Sequence, residues 1–205
     1  MDLQVVDKQN KKISGIALSE LAEEKINSDV LYYAVKAARN NLRHGTAAVK
    51  DRSQINKTNK KAYRQKGTGN ARHGSKRANI YVGGASAHGP RPRSYVESVN
   101  KTFKLRSYQE VFKYLIKEDK LKVLKDLTFA KPSTKEAVAV LKNLNLTKSL
   151  VVLPPENRNA VLSFRNIKNI GVCHEMNLNV LKILQFDSVI MTESYFNQVK
   201  ERYGL

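Results

Sequence analysis

Apolar residues recur with the spacing of short strands and amphipathic helices on both sides of a long segment that has no such spacing. Near the start, Leu3–Val6 and Ile13–Leu18 have the composition of two short strands joined by a polar turn. Ser28-Asp29 is typical of a helix N-cap, and the apolar residues after it keep a 3.6-residue period as far as Leu42. The period returns at Leu105 and predicts a second amphipathic helix.

After the second helix, predicted strands and helices alternate along the rest of the sequence. Ser133-Thr134-Lys135-Glu136 has the capping-box pattern that opens a helix, and Leu150–Leu153 is the wholly apolar run expected of a buried parallel strand. The other predicted elements are strands over Leu121–Phe129, Ile167–Cys173 and Ser188–Met191, and helices over Asn157–Phe164, Leu178–Leu184 and Thr192 to about Arg202. This alternation predicts an α/β fold, a layered body with a mainly parallel sheet and flanking helices.

The segment between the first two helices, residues 43–99, is here called the basic loop. From Arg43 to Arg93 it contains thirteen Lys and Arg residues against one acid, Asp51, and therefore carries +12 of the net charge of +19. The same stretch contains seven of the ten glycines and few bulky apolar residues. Ordering a backbone costs roughly 1–2 kcal/mol per residue, which so few apolar side chains cannot offset. We therefore do not expect the basic loop to fold by itself.

Two interpretations of the basic loop are open. One is a disordered linker, the usual state of long segments without secondary structure. The other is an arm that becomes ordered inside a polyanion, because glycines let a backbone enter narrow gaps while Arg and Lys neutralise phosphates and stack on bases. The predicted helices on either side hold both ends and favour the second. We expect a single α/β domain over residues 1–205, with residues 43–99 as an inserted, extended loop.

Composition narrows the class of partner. A chain of 205 residues with a net charge of +19 points to nucleic acid rather than to an anionic membrane, because the basic loop has no amphipathic apolar face. No run of eighteen apolar residues predicts a membrane span, and the first residues do not resemble a signal peptide. The single cysteine, Cys173, fits a reducing compartment. These features predict a cytoplasmic protein with no membrane partner.

Each candidate catalytic or cofactor-binding motif in the sequence departs from the pattern that its chemistry requires. Gly69 and Gly74 have the spacing of a phosphate-binding loop, but Ser75-Lys76 follows in the reverse of the required order and no strand precedes them. Gly67-Thr68-Gly69 begins a dinucleotide fingerprint whose sixth position is Arg72. The four histidines are scattered, and one cysteine cannot build a zinc site. Cys173-His174 is interpreted as a buried thiol beside a rim histidine. The sequence predicts no catalytic residue, no metal and no cofactor.

The basic loop and the two residues after it contain a series of short motifs, here called the matching words. In order they are Gly45-Thr46, Arg64-Gln65-Lys66-Gly67-Thr68-Gly69, Ala71-Arg72, Gly74-Ser75, Gly83-Gly84, Gly89-Pro90, Pro92-Arg93 with Tyr95, and Asn100-Lys101. This series resembles the signature loop of the L4 family of large-subunit ribosomal proteins. Lys61-Ala62-Tyr63 stands where the family usually has Lys-Pro-Trp, and Tyr63 retains a ring that can stack. Asn70 replaces a second arginine after the Gly-Thr-Gly word. In the body the resemblance rests on length and element order.

The resemblance implies a structural component of the large ribosomal subunit, with a loop that threads the rRNA and lines the peptide exit tunnel. The implied partners are large-subunit rRNA, neighbouring large-subunit ribosomal proteins and the nascent peptide. The residues expected to bind RNA, from their charge or from the matching words, are Lys57, Lys60, Lys61, Tyr63, Arg64, Gln65, Lys66, Gly67, Thr68, Gly69, Arg72, Lys76, Arg77, Arg91 and Arg93.

One alternative is an RNA-modifying enzyme with a Rossmann-like body and a basic substrate arm. Such an enzyme needs a cofactor fingerprint after an early strand. The turns after the first two predicted strands, Asp7–Lys12 and Ser19–Asn27, contain no glycine. The sequence therefore favours the ribosomal protein over the enzyme.

Overall fold

Six strands form one sheet in the computed structural model, which describes residues 2–18 and 25–204. The turn predicted over Ser19–Asn27 therefore lies mostly outside the described residues. The strands are β1 (Asp2–Val6), β2 (Lys12–Ala17), β3 (Leu121–Leu124), β4 (Ser149–Leu153), β5 (Ile170–His174) and β6 (Ser188–Thr192). Their order across the sheet is β2-β1-β3-β6-β4-β5. Only the β1–β2 pair is antiparallel, so β2 is an antiparallel edge on a parallel sheet.

In the described part of the chain, six α-helices connect or flank these strands. They are α1 (Ser28–Asn41), α2 (Lys101–Lys117), α3 (Thr134–Asn143), α4 (Arg158–Arg165), α5 (Val180–Leu184) and α6 (Glu193–Tyr203). Crossovers that contain helices join the parallel strands, as parallel pairing requires. The predicted fold class, an α/β body with a mainly parallel sheet and an inserted basic loop, is confirmed.

The central strands are buried on both faces, so the sheet separates two apolar layers. Along β4, Leu150 and Val152 face one layer, while Val151 and Leu153 face the other. The first layer includes Phe112 of α2 and Phe196 of α6, and the second includes Phe164 of α4, all three with no exposed surface. This alternation is the period of two expected of a strand. It explains why β4 and β6 read as continuous apolar runs, since both faces need apolar side chains.

Several predicted boundaries were wrong. The structure starts α2 at Lys101 rather than Leu105 and ends β3 at Leu124 rather than Phe129. It starts β5 at Ile170 rather than Ile167. The helix predicted over Leu178–Leu184 is shorter, because Asn179 is extended and its side chain accepts a hydrogen bond from the Lys182 N–H at 2.8 Å. A capping asparagine therefore fixes the start of α5 at Val180.

The predicted helix caps were only partly right. Ser133 accepts a hydrogen bond from the Glu136 N–H at 3.4 Å, which confirms one half of the capping box. The Ser133 N–H donates to Ser163 Oγ of α4 at 2.9 Å, so a tertiary contact satisfies that donor. At α1 the capping side chain is Asn27, which accepts from the N–H groups of Asp29 and Val30, and not Ser28-Asp29. Thr192 occupies the N-cap position of α6 without a side-chain capping bond.

The chain separates into two compact units. One is the body, Met1–Asn40 with Glu97–Leu205, and the other is the loop unit, Asn41–Val96. Within the body, Asn40 Nδ2 donates to Glu97 Oε1 at 2.7 Å, so the two points where the chain leaves and rejoins the body are adjacent. No helix in the described part of the chain is long and apolar enough to span a bilayer.

Candidate nucleic-acid interface

All fifteen residues predicted to bind RNA lie in the loop unit. From residue 42 to residue 96 the loop unit consists of turns, bends and one isolated bridge between Lys61 and Ser75. Ser75 is its one buried residue. Eight of the predicted cations are exposed: Lys60, Lys61, Arg64, Lys66, Arg72, Lys76, Arg91 and Arg93. The loop unit therefore presents positive charge to solvent over most of its length.

Two of the predicted cations, Lys57 and Arg77, are half-buried and donate hydrogen bonds to backbone carbonyls of the loop unit. Lys57 Nζ donates to the Val82 carbonyl at 2.9 Å, and Arg77 Nε donates to the Lys57 carbonyl. Both side chains are half-buried, unlike the eight exposed cations. Their hydrogen bonds tie Lys57 to Arg77 and to Val82. Their predicted contact with RNA stays a prediction, and the structure gives them a local bracing role.

Ser75 joins the two sides of this braced region. Its Oγ donates to the Thr58 carbonyl at 3.2 Å and accepts from the Arg77 N–H at 3.1 Å. The Ala62 N–H donates to the Gly74 carbonyl at 3.0 Å beside it. Ser75 was not among the residues predicted to bind RNA. A serine at the start of a turn can bond backbone groups on both sides. The position of Ser75 directly after Gly74 is therefore the sequence feature that could have indicated this role.

Three aromatic rings pack edge to face in the same region. The ring centroids of Tyr63 and His73 lie 6.1 Å apart, and those of His73 and Tyr81 lie 5.3 Å apart. The Tyr63 hydroxyl donates to the Ala71 carbonyl. Partial desolvation raises the pKa of Tyr63, and the nearby Tyr81 hydroxyl adds to the rise. Tyr63 therefore contributes to an aromatic cluster, and its predicted stacking on an RNA base stays a prediction.

Residues 64–76, which lie midway along the sequence of the loop unit and are here called its tip, contain a tight glycine turn. Gly67 has a φ of +78°, a backbone conformation in which a side chain would be strained. Arg64 Nη2 donates to the Gly67 carbonyl at 2.7 Å and closes this turn. From Arg64 to Lys76 the sequence contains no bulky aliphatic or aromatic residue other than His73. The tip therefore offers cations and backbone groups rather than apolar surface.

The two limbs of the loop unit run side by side near the point where the chain enters and leaves it. The Arg93 N–H donates to the Gly45 carbonyl at 3.1 Å, and the Val49 N–H donates to the Pro90 carbonyl at 3.2 Å. Asp51 forms an ion pair with Arg91, with 2.9 Å between Oδ2 and Nη2. These contacts join residues 45–51 to residues 90–93. No local sequence pattern predicts these contacts, because the paired residues are about forty positions apart.

Tyr95 lies close to two guanidinium groups in the same region. Arg43 Cζ lies 3.7 Å and Arg93 Cζ 4.6 Å from the centroid of the Tyr95 ring. A hydrogen bond from Arg93, assisted by the charge of Arg43, lowers the pKa of the Tyr95 hydroxyl. Guanidinium groups attract the face of an aromatic ring. Arg43 and Tyr95 were not among the predicted site residues, although Tyr95 belongs to the matching words.

The carboxyl edge of the parallel sheet is where an α/β enzyme would bind its ligand. Here β5 ends with Cys173, which is 4% exposed, and His174, whose buried Nδ1 has no hydrogen-bond partner in the described structure. Neighbours on a strand point to opposite faces. Desolvation, with the charge of Glu156, raises the pKa of Glu175 just beyond. Among residues 2–18 and 25–204, no three His, Cys, Asp or Glu side chains are grouped as a metal site.

The chain is similar to known proteins over almost its whole length. The sequence model of the ribosomal protein L4/L1 family matches residues 16–202. The large ribosomal subunit protein uL4 of Geotalea daltonii is 40% identical over 199 residues, which is 97% of this chain and 96% of that protein. The uL4 proteins of Geobacter metallireducens and Halothermothrix orenii are 38% and 35% identical, and the matches cover 97% and 95% of this chain and 96% and 95% of those proteins.

Proposed function

The chain belongs to the ribosomal protein L4/L1 family, and on that premise we propose that its loop unit is the main rRNA-binding surface of a structural protein of the large ribosomal subunit. Like its relatives named uL4, it is a component of that subunit and not an enzyme. It associates with large-subunit rRNA and with other proteins of the subunit. The RNA-modifying enzyme considered above is therefore set aside.

The observation that carries the proposal is the charge of the loop unit. Thirteen Lys and Arg against one acid give +12, and eight of the predicted cations are exposed. Neutralising phosphates releases condensed counterions, which makes such binding strong at low salt. Hydrogen bonds and aromatic contacts within the loop unit constrain the spacing of these cations. Partial ordering of this kind reduces the entropy cost of binding.

The finer proposal concerns the tip of the loop unit, which we place at the nascent peptide in the exit tunnel. Its support is chemical, because the stretch from Arg64 to Lys76 has exposed glycines and cations and almost no apolar side chain. A surface of this kind offers no hydrophobic patch that would hold a passing chain. Crosslinking from a photoreactive side chain at Thr68 to a stalled nascent peptide would test it. Crosslinks to rRNA alone would contradict it.

The proposed rRNA binding predicts a steep salt dependence. If about six to ten cations meet phosphates, log K should fall with log salt at a slope of roughly −4 to −7 on single-stranded RNA. Fluorescence titration of the full chain against large-subunit rRNA fragments at several salt concentrations measures the slope. A slope near zero would contradict the proposal.

A matched pair of triple variants tests whether the lysines that contact RNA phosphates lie in the loop unit or in the body. Changing Lys60, Lys66 and Lys76 to Gln should reduce the slope by about two units, since each lost phosphate contact removes roughly 0.7. The control changes three exposed lysines of the body, Lys131, Lys135 and Lys168, to Gln and should alter the slope much less. Equal effects of the two triple variants would show that the loop unit is not the main surface.

Changing Gly45 to Ala should weaken RNA binding while the melting of the body stays unchanged. Gly45 has a φ of +65°, and a Cβ there would lie 1.9 Å from the Arg93 carbonyl oxygen. The resulting strain, about 1–3 kcal/mol, would separate the paired limbs and reduce affinity by roughly tenfold. Titration and thermal melting measure the two effects. The control is Gly74 to Ala, where the nearest side-chain atom is 4.0 Å from the new Cβ, and equal losses would contradict the explanation.

A further inference from the structure

Asp51 is the one acidic residue in the loop unit, among thirteen Lys and Arg residues. A carboxylate repels the phosphates that the surrounding cations attract, so its presence in an RNA-binding segment works against non-specific affinity. A carboxylate also has a property that the cations lack, since it accepts hydrogen bonds and donates none. The position of Asp51 indicates which hydrogen-bond donors its carboxylate can accept from.

The backbone and the side chain of Asp51 are both held in place. The Asp51 N–H donates to Gln54 Oε1 at 3.2 Å, and the Gln54 N–H donates to the Asp51 carbonyl at 2.9 Å, which closes a turn. The carboxylate accepts from Arg91 Nη2 through Oδ2. Two carboxylate oxygens can accept about four hydrogen bonds in all. The turn with Gln54 therefore holds Asp51 in position, and the ion pair leaves the carboxylate capacity for a ligand.

The Asp51 side chain, 44% exposed, lies on the wall of a shallow pocket in the loop unit. The pocket is lined by three guanidinium-bearing residues, by amides and by small side chains. The lining residues that matter here are Asp51, Arg52, Arg77, Asn79, Ser86 and Arg91. The Asp51 carboxylate is thus the one anionic group in a pocket that also contains three guanidinium groups. This arrangement suits a ligand that combines hydrogen-bond donors with phosphate.

We propose that this pocket binds an unpaired guanine nucleotide of RNA, with the Asp51 carboxylate accepting hydrogen bonds from N1–H and N2–H of the base. Arg52 and Arg91 meet the flanking phosphates. The inference rests on the proposed rRNA binding and adds to it a site that reads one base. Unpaired bases are the usual target of sequence-specific RNA recognition, and their Watson–Crick edges are read by hydrogen bonds.

Guanine fits the Asp51 carboxylate best because its Watson–Crick edge carries two adjacent hydrogen-bond donors. N1–H and N2–H lie side by side on guanine and match the two oxygens of a carboxylate. Adenine and cytosine present one amino group beside an acceptor, and uracil presents one imino group between two acceptors. On those bases a carboxylate faces at least one acceptor, which repels it. Two-point matches of this kind give strong discrimination between bases.

A purely structural role for Asp51 is the competing explanation, with the carboxylate present only to join the two limbs. The ion pair with Arg91 is exposed, and exposed ion pairs contribute little to stability. Two backbone hydrogen bonds, from Arg93 to Gly45 and from Val49 to Pro90, already join the same limbs. The limbs therefore do not depend on Asp51, and the base-reading role accounts better for a carboxylate at this place.

The test uses the full chain and short oligouridylates that carry one central guanine, hypoxanthine or adenine. Wild type should bind the guanine probe on the order of tenfold more tightly than the adenine probe. The hypoxanthine probe, which lacks the N2 amino group, should lie between them. Asp51→Asn should abolish the preference while slightly strengthening binding to the adenine probe, because the loop unit gains one unit of positive charge. Fluorescence anisotropy at one fixed salt concentration measures all three affinities.

Two control variants separate base reading from charge and from structure. Asp187→Asn makes the same charge change in the body, where Asp187 is exposed, and should keep the guanine preference. Arg91→Gln breaks the ion pair but retains the carboxylate, so it should bind all probes more weakly and still prefer guanine. Loss of the preference in Arg91→Gln as in Asp51→Asn would overturn the inference in favour of the structural role.

The remaining outcomes distinguish failure of this inference from failure of the proposed function. Wild type that binds all probes tightly and with steep salt dependence, but equally, overturns the guanine site and leaves rRNA binding intact. A preference that persists in Asp51→Asn also overturns the guanine site. Failure to bind any probe or any rRNA fragment would overturn the proposed function itself.

Discussion

Replacing residues 57–93 with a short glycine–serine linker is expected to leave the body folded and to reduce RNA affinity on the order of a thousandfold at moderate salt. The deletion removes ten Lys and Arg residues and no acid. All fifteen predicted binding residues are lost with it. Loop-closure entropy changes by only about 0.6 kcal/mol for each halving of loop length, so the body should keep its stability. Circular dichroism melting and titration with rRNA fragments measure the two effects.

A second variant, of the same length as wild type, separates the effect of net charge from the effect of how the cations are arranged. Shuffling the amino acids of residues 57–93 keeps the net charge and removes the bonds that Ser75, Lys57 and Arg77 make within the loop unit. The shuffled chain should retain the salt slope but bind more weakly than wild type, because its cations are no longer held at fixed spacings. Loss of cooperative melting in the deletion variant would show that the loop unit supports the body.

Changing Lys113 to Met is expected to destabilise the body by about 3–5 kcal/mol. Lys113 Nζ lies 3.4 Å from Glu110 Oε1 on α2, and each side chain is 5% exposed. Glu110 Oε2 also accepts from the Asn27 N–H, just before α1, at 2.8 Å. Without the ammonium group the carboxylate remains buried with less compensation. Urea denaturation followed by far-ultraviolet circular dichroism measures the change in the free energy of unfolding.

The matched control for this prediction is the double variant Glu110→Gln with Lys113→Met. The glutamine oxygen still accepts the hydrogen bond from Asn27 but carries no charge, so most of the stability should return. A single-variant loss of less than about 1 kcal/mol would show that water reaches the ion pair, as at exposed pairs. A double variant as unstable as the single one would show that packing of the lysine stem is what matters.

The order of elements was predictable because the body obeys local rules. Apolar runs over β4 and β6 mark strands that are buried on both faces, and the 3.6-residue period marks α1, α2 and α3. Where the prediction was wrong, a contact distant in sequence decided the outcome. Leu105 has the right period for a core position but is 43% exposed, whereas Glu110 and Lys113 on the same helix are buried. Periodicity treats charged residues as outward-facing and has no means of anticipating an ion pair that bonds Asn27.

The end of β3 was missed for a related reason. Leu127 and Phe129 continue the apolar alternation of the strand and are both buried, at 1% and 8% exposure. The structure leaves them outside the ladder, since β3 ends at Leu124 and only the Lys125 N–H continues towards β1, donating to the Val6 carbonyl. Burial and alternation alone therefore do not distinguish a strand from an irregular segment packed in the core.

For the loop unit, the sequence predicted candidate residues and not their contacts. Charge and the matching words selected the fifteen candidate residues, and those residues lie in one unit. The pairing of the limbs, the bracing by Ser75 and the pocket at Asp51 depend on residues twenty to forty positions apart. No local pattern encodes such contacts in a segment without regular structure.

The position of β6 in the sheet sets the order in which the protein can be completed during synthesis. β6 lies between β3 and β4, yet residues 188–192 are translated after every other strand. Until they emerge, the sheet consists of two separate halves, each with an open edge that can pair with another chain. The basic loop, by contrast, has been translated in full before β3 begins. A growing chain therefore presents its cations to any nearby RNA well before its sheet can close, and a chain that stops before residue 188 leaves both edges exposed.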